Sequence, residues 1–161
     1  MDTIAVVSTH HKRTGSSEGH RLAHTSPLQA ARLADTPRRL DLCRRAICGR
    51  DFTALTEIVE QDSHLMHAVM MTSQPALLYW EPATLGVLQA VANWREQGLA
   101  ACTTVDAGPN IHVISTEAAA AEVAWRLKKL PGVQQLLTAT VGGPALRCTG
   151  HAGPPTVQDL K

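Results

Sequence analysis

The stretch ACTTVDAGPNIHVIS, residues 101–115, contains two short strand-like runs separated by a turn. The runs are 101–105 and 111–115, and DAGPN (106–110) lies between them. β-Branched and apolar residues favour strands, whereas Asp, Gly, Pro and Asn are typical of turns. Neighbouring strands joined by so short a connection pair antiparallel. The sequence therefore predicts an antiparallel pair of strands with DAGPN at its connection.

Further strands and helices flank this pair on both sides. An apolar β-branched run at 4–8 predicts a buried strand, and 133–141 predicts a final one. Apolar residues recur at helical spacing in four other segments. The predicted helices span 38–48, 52–73, 84–94 and 116–130. This order predicts an α+β fold, an antiparallel sheet packed against helices, rather than a doubly wound parallel sheet.

The helix ends and inward faces can also be predicted. Gly49 is expected to end the first of these helices, and Asp51 is expected to cap the second. Lys128 and Lys129 fall in the last turn of the fourth, where cations are favourable. The residues expected to face inward on the second and third helices are Phe52, Leu55, Val59, Met66, Val69, Leu85, Leu88 and Val91.

Length and charge limit the classes of protein that fit. The 161 residues suffice for one domain, which we place at 1–149, followed by a Gly/Pro-rich tail at 150–161 that is expected to be disordered. The 15 basic and 14 acidic residues give a formal net charge of +1. So small a charge argues against a protein that holds nucleic acid or an anionic membrane through its overall field.

The lack of a recognisable targeting signal and the spacing of the cysteines predict a cytoplasmic protein. No apolar run is long enough to span a bilayer, and the first residues lack the order of a signal peptide. The cysteines lack CxxC spacing, so we expect reduced thiols rather than disulfides or a zinc site. They are Cys43, Cys48, Cys102 and Cys148.

Asp106 is the strongest candidate for a catalytic residue. A carboxylate at the end of an apolar strand, followed by a stiff Gly-Pro turn, is held where an acid or base can meet a substrate. The alternative is that Asp106 only stabilises its own turn by accepting backbone N–H groups, a common role for Asp. The spacing alone favours this second interpretation.

The stretch TGSSEGH, residues 14–20, is the second candidate. Ser16 or Ser17 could cap a short helix, and hydroxyl and N–H groups at a helix start can bind an anion beside Lys12 and Arg13. The pattern is neither a Walker A loop nor a dinucleotide-binding fingerprint. A capped helix after a polar loop remains the simpler interpretation.

Other polar clusters favour structural roles. His64 and His67 share a helix face but have no carboxylate partner at metal-binding spacing, so we expect packing or hydrogen bonding and no metal site. His10 and His11 are expected to be solvated. The arginines expected to form the solvent-exposed face of a helix are Arg38, Arg39, Arg44 and Arg45.

Four stretches together resemble one known family. They are VVSTHHKRTGSSEGHRLAHTSPL (6–28), RDFTALTEIVEQDSHLMHAV (50–69), PALLY (75–79) and CTTVDAGPNIHVI (102–114). Their order and spacing resemble the C-terminal domain of the diphosphomevalonate decarboxylase family, in the GHMP kinase superfamily, over nearly all of 4–146. No single stretch is specific, but the combination in register is.

The resemblance implies a function that the spacing alone does not. This family uses ATP and Mg²⁺ to phosphorylate the tertiary hydroxyl of a phosphorylated mevalonate, and loss of phosphate and CO₂ then gives an isopentenyl product for isoprenoid synthesis. The resemblance implies that Asp106 has the catalytic position beside that hydroxyl and that Ser16 and Ser17 bind the substrate. Some members carry Arg where Ser17 stands, so one anion contact is missing or supplied elsewhere.

The resemblance also implies what lies outside the matching segment. The family's N-terminal half carries the ATP-binding loop, so a separately encoded half, a fragment or a misplaced start are all expected possibilities, and full enzymes of the family are expected to be homodimers. An isolated half is expected to expose an apolar interface and to self-associate. The alternatives are a 5-monophosphate substrate, a mevalonate 3-kinase, which the Asp106 motif disfavours, and a non-catalytic remnant or binding module.

Overall fold

A four-stranded antiparallel sheet with strand order β2-β3-β1-β4 lies at the centre of the computed structural model, which describes residues 1–10 and 15–143. β1 pairs with β3 and β4, and β2 pairs with β3. The strands are β1 (Asp2–Val6), β2 (Ala101–Thr104), β3 (Ile111–Ser115) and β4 (Gln135–Ala139). The predicted antiparallel pairing of the two strands around DAGPN is confirmed, and so is the α+β class.

Six α-helices accompany the sheet within the described residues. They are α1 (Ser16–Leu22), α2 (Gln29–Ala34), α3 (Thr36–Gly49), α4 (Phe52–Thr72), α5 (Pro82–Glu96) and α6 (Glu117–Leu127). α5 and α6 pack on one face of the sheet, while α4 runs along β2 and packs against α3.

The main core lies between the sheet and α5 and α6. Ile111 and Val113 alternate with less buried neighbours on β3 and are fully buried. Val91 of α5 and Val123 and Leu127 of α6 are fully buried against them. Each such side chain contributes about 1.5–3 kcal/mol by leaving water. This packing therefore fixes the sheet on which the DAGPN turn is carried.

Both terminal strands are displaced from the predicted limits. β1 begins at Asp2 and ends at Val6, because the backbone N–H groups of Val7 and Ser8 are donated to the Asn110 side chain instead of a neighbouring strand. β4 is shorter than predicted because pairing with β1 begins at Gln135 and ends at Ala139. In both strands, the apolar run in the sequence is longer than the segment that pairs with a neighbouring strand.

Several predictions of helix ends and faces are wrong in detail. Gly49 is still helical, and the left-handed residue that follows the helix is Arg50, with φ of 54°. α6 ends at Leu127, so Lys128 is its C-cap residue. Leu85 is 45% exposed, and Val87 occupies the buried position on α5 instead.

The prediction that the arginines of α3 are solvent-exposed is wrong for one of them. Arg38, Arg44 and Arg45 are exposed, but Arg39 is only 4% exposed. Its guanidinium donates to Asp35 and Asp62 at 2.9 Å each, so two carboxylates compensate the buried charge. A charge run cannot reveal which of its members points inward, because that depends on the packing of α3 against α4.

Some expectations fall outside the described residues. Lys12, Arg13, the 150–161 tail and Cys148 belong to this group. Cys43, Cys48 and Cys102 are free thiols. Burial raises the pKa of Cys102 to about 11, which makes it an inert core residue. None of the helices in the described part of the chain is long and apolar enough to cross a lipid bilayer.

Candidate functional site

The outer edge of β2 is covered by polar side chains rather than by another strand. Glu60 accepts a hydrogen bond from the Thr103 N–H at 3.1 Å. Ser63 accepts from the Val105 N–H at 3.0 Å, and its hydroxyl lies 3.2 Å from the Val105 carbonyl oxygen. The His67 ring nitrogen Nε2 lies 2.9 Å from that same carbonyl. α4 thus satisfies the edge of β2 up to the residue that precedes Asp106.

This arrangement corrects the predicted inward face of α4. Thr56, Ser63 and His67 are buried, together with the apolar Ile58, whereas the predicted Val59 is only half-buried. Burial lowers the pKa of His67, so its neutral ring is the form that meets the Val105 carbonyl. A period of 3.6 identifies an apolar face, but it cannot detect a polar face that serves as the partner of a strand edge.

The DAGPN turn is fixed at several further points. Thr84 donates to the Pro109 carbonyl at 2.7 Å. Asn110 accepts from two backbone N–H groups after β1, at 2.9 and 3.2 Å. Gly108 has φ of +56°, and a Cβ there would lie 2.7 Å from the Tyr79 carbonyl oxygen. The turn therefore leaves little freedom to the backbone that carries Asp106.

Asp106 itself is exposed at the end of this fixed segment. Within the described residues, the side-chain bonds that hold the turn come from Ser63, His67, Thr84 and Asn110, and the Asp106 carboxylate takes no part in them. The alternative in which Asp106 only stabilises its own turn therefore finds no support in these contacts. Its backbone is held in place, and its carboxylate oxygens are not engaged by these groups, so they are accessible to a ligand.

Asp106 and Ser16 line the same cavity, which has a volume of about 550 Å³. Ser17 is exposed and does not line it. Met66, Val69 and Met70 of α4 supply most of the apolar part of the wall, and Ala23 and Ala107 supply the rest. The structure thus brings together two of the three residues singled out in the sequence.

Gly15, rather than Ser16 or Ser17, is the N-cap residue of α1, and no side-chain cap bond is formed. The predicted capping role is therefore wrong, and it leaves the Ser16 hydroxyl uncommitted to its own helix. α1 approaches Tyr79 closely at Gly19, where a Cβ would lie 2.7 Å from the Tyr79 Oη atom. A side chain at Gly19 would therefore displace the end of the Tyr79 side chain from its present position.

Four polar residues of the cavity were missed by the sequence analysis: His20, Gln29, Arg32 and Tyr79. Arg32 lies on α2, and Tyr79 lies in the segment between α4 and α5. His20 and Tyr79 lie within the GSSEGH and PALLY motifs, so position within those motifs was an available signal. Nothing in the sequence marks Gln29 or Arg32, because a six-residue helix has no clear periodicity.

His64 and His67 do not form a metal site together. His67 is bonded to the Val105 carbonyl and its ring is 4.9 Å from that of Trp80, while His64 is exposed with its ring 6.0 Å from the same Trp80. No three His, Cys, Asp or Glu side chains converge as a metal site anywhere in 1–10 or 15–143. Asp106 could supply one oxygen ligand to a cation held mainly by other groups.

A cavity lined by an acidic, a hydroxyl and a basic residue of an α+β domain is of the kind in which small polar ligands are commonly bound. The sequence profile of the mevalonate 5-diphosphate decarboxylase C-terminal domain matches residues 3–151. The chain therefore belongs to the mevalonate 5-diphosphate decarboxylase family, as one of its C-terminal domains.

Individual relatives agree with this assignment. The diphosphomevalonate decarboxylase of Candida albicans is 34% identical over 71% of this chain and 32% of the relative. The phosphomevalonate decarboxylase of Haloferax volcanii is 31% identical over 72% of this chain and 36% of the relative. The chain thus spans about a third of the length of these relatives.

Solved structures show the same fold. Mevalonate diphosphate decarboxylase from Staphylococcus aureus superposes with a TM-score of 0.79 and 26% identity, over 84% of this chain and 41% of that one. A structure described as MDDEF in complex with MVAPP, AMPPCP and magnesium has a TM-score of 0.77 and 25% identity, over 84% of this chain and 42% of that one. The predicted resemblance is confirmed.

Proposed function

We propose that this chain is the substrate-side part of an ATP-dependent diphosphomevalonate decarboxylase that makes isopentenyl diphosphate. The observation that carries the proposal is the shared cavity of Ser16 and Asp106. Its volume of about 550 Å³ is within the usual range for small-molecule sites. Membership in the family supplies the substrate class, a phosphorylated mevalonate.

In this proposal Asp106 acts on the tertiary hydroxyl of the substrate. An exposed carboxylate can accept the hydroxyl proton, orient the hydroxyl, or stabilise positive charge that develops at the neighbouring carbon. Bonds from Ser63 and His67 to Val105, and from Thr84 to Pro109, support this role because they restrict the backbone that carries Asp106. Ser16 is assigned a hydrogen bond to the substrate, and Ser17, which is outside the cavity, is assigned at most a contact at its rim.

ATP and Mg²⁺ enter the proposal through the relatives, one of which holds AMPPCP and magnesium. Mg²⁺ usually combines one or two carboxylates with phosphate oxygens and water. Asp106 fits one such position, but the described residues contain no further set of metal ligands. The chemistry assigned to this chain is therefore substrate binding and placement of one carboxylate, with the nucleotide held by an N-terminal half. A homodimer, as expected for the family, is part of the same proposal.

A 5-monophosphate substrate is the second candidate, supported by the similarity to the Haloferax volcanii phosphomevalonate decarboxylase. More of the similar relatives are named diphosphomevalonate decarboxylases, which favours the diphosphate. A non-catalytic binding module is the third candidate and would keep the cavity without turnover.

The test is complementation with the N-terminal half of a family member. The purified chain is incubated with that half, ATP, Mg²⁺ and either mevalonate 5-diphosphate or mevalonate 5-phosphate, and release of ADP and CO₂ is followed. We expect both products only in the complemented mixture. Asp106→Asn should lower the rate by about a hundredfold or more, whereas Asp41→Asn, an exposed position on α3, should not.

The products separate the candidates. ADP without CO₂ would identify a 3-kinase, and turnover of only the monophosphate would identify the second candidate. If a folded chain gives no product with an active partner half, the non-catalytic binding module is the candidate that remains. Full activity of Asp106→Asn would remove the role assigned to Asp106.

A further inference from the structure

Arg32 of α2 is among the residues that line the cavity of Ser16 and Asp106. Its side chain is 22% exposed, and together with its partner Asp62 it also borders a second cavity of about 540 Å³. Arg32 and Asp106 form no ion pair within the described residues, since the Arg32 ion pair is with Asp62. The cavity therefore presents a cation and a carboxylate that do not neutralise each other by direct contact.

The charges around Arg32 leave it incompletely compensated. Asp35 accepts from Arg38 at 2.6 Å and from Arg39 at 2.9 Å. Asp62 accepts from Arg39 at 2.9 Å, while its two contacts with Arg32 are longer, at 3.3 and 3.4 Å. Three guanidinium groups thus share two carboxylates, and Arg32 makes the weakest of these contacts. This group of five side chains therefore carries one more positive than negative charge.

The hydrogen-bond donors of Arg32 are also largely unused. Guanidinium carries five N–H donors. In the described part of the chain, only Nη2 has a partner, and Nε is buried with none. Unused buried donors are unfavourable, and charge-assisted bonds to phosphate are among the strongest that a guanidinium makes. A bound anion would compensate the charge and could accept from the Nη groups, whereas the buried Nε is out of its reach.

We propose that Arg32 is the residue of this cavity that binds the phosphate group of the substrate. The inference rests on the proposed function, because that function supplies a phosphorylated ligand, and it adds the residue that recognises the anion. The ligand chemistry is a phosphate or diphosphate ester that also carries a hydroxyl for Asp106. Asp62 and Arg39 hold Arg32 at the cavity wall.

The experiment measures ligand binding to the chain itself by titration calorimetry. The probes are mevalonate 5-diphosphate, inorganic pyrophosphate and mevalonate without phosphate, each at low and high salt. Arg32→Gln removes the charge, and Arg32→Lys keeps it. The matched control is Arg45→Gln, because Arg45 is a 67% exposed arginine of α3 that pairs with Asp41.

We expect Arg32→Gln to weaken binding of both anionic probes by about tenfold, the effect of losing one charge-assisted contact. Mevalonate should bind equally well to the wild type and to Arg32→Gln. Arg32→Lys should restore part of the anion affinity, and the salt dependence should decrease in Arg32→Gln. Arg45→Gln should behave as the wild type.

Other results overturn the inference. Equal anion affinities of Arg32→Gln and Arg45→Gln would do so, as would an equal loss of mevalonate and anion binding, which would indicate general damage to the cavity. Failure of both anions to bind the wild type would also overturn it. Arg32→Lys keeps the test valid if Arg32→Gln does not fold. The complementation assay reports on the proposed function separately, because it depends on Asp106 and on product release.

Discussion

Two glycines show how a single residue determines the geometry near Asp106. Gly108 is in the left-handed region, and a Cβ there would meet the backbone carbonyl oxygen of Tyr79 at 2.7 Å. Gly86 lies within α5, and a Cβ there would meet nothing within 4 Å. The same substitution should therefore have opposite effects at these two positions.

We expect Gly108→Ala to lower the free energy of unfolding by more than about 1–2 kcal/mol, the cost of a left-handed alanine, since the contact with Tyr79 adds to it. Gly86→Ala should raise it by about 0.5–1 kcal/mol, because alanine loses less backbone entropy in a helix. Urea denaturation of both variants measures these changes. An unaltered stability of Gly108→Ala would mean that the turn does not approach Tyr79 as closely as described here.

The position of a candidate residue in the fold could be predicted from sequence where that residue lies within a turn motif. Asp106 follows a strand and precedes Gly-Pro, so its exposed position at the end of β2 could be predicted from local chemistry. Arg32 could not, because its place in the cavity depends on how α2 packs against α4. Ser17 adjoins Ser16 in sequence, but successive residues of a helix point in different directions, so only one of the two lines the cavity.

At the scale of elements, α4 acts as the partner of the β2 edge. Its polar residues Ser63 and His67 replace the hydrogen bonds that another strand would make to Val105. The titratable groups near His67 are His64, Tyr79 and Asp106. This pairing places one buried histidine against Val105, the residue between β2 and Asp106.

The buried histidine should make stability depend on pH. Because burial lowers the pKa of His67 below its usual value, the unfolded chain binds a proton more readily than the folded one. The contribution of His67 to the free energy of unfolding is therefore fully present above about pH 6.5. Below that pH the free energy of unfolding should decrease by up to about 1.4 kcal/mol per pH unit. The decrease continues until the pH reaches the lowered pKa of the folded state. Urea denaturation between pH 7.5 and 5 measures this slope.

His67→Gln provides the comparison, since glutamine can donate to the Val105 carbonyl without titrating. The free energy of unfolding of His67→Gln should change less with pH over this range. That of His24→Gln, at an exposed histidine, should change with pH as in the wild type. The Asp35 carboxyl, whose pKa of about 2 is lowered by its hydrogen bond with Arg38, affects only more acidic solutions. Equal slopes for the wild type and His67→Gln would contradict the assignment of this transition to His67.

The limits of elements were less predictable than their existence. The strands on either side of DAGPN were predicted correctly because apolar runs and turn residues coincide there. β1 ends at Val6 because the side chain of Asn110, more than a hundred residues away, takes the next N–H groups. A local pattern cannot contain such a contact.

At the scale of the whole molecule, one apolar surface has no cover within the described residues. Leu33, Leu40 and Ile47 are 57, 49 and 59% exposed. Leu40 and Ile47 are seven residues apart on α3 and therefore lie on about the same side of that helix, while Leu33 lies on α2. Leu33 and Leu40 also border a cavity of about 540 Å³ beside the sheet. We call Leu33, Leu40 and Ile47 the α2–α3 stripe. Contiguous apolar surfaces of this kind usually mark an interface.

We expect the isolated chain to self-associate through the α2–α3 stripe, because association would remove these side chains from water. Sedimentation velocity over a range of concentrations and binding of a hydrophobic dye measure this. Leu40→Glu and Ile47→Glu should shift the chain towards monomer and reduce dye binding, since a charge cannot be buried there without a partner. Leu78→Glu, at a 73% exposed leucine outside the stripe, is the matched control and should not. A monomer at high concentration that binds no dye would refute the prediction, and equal effects of Leu78→Glu and Leu40→Glu would place the contact elsewhere.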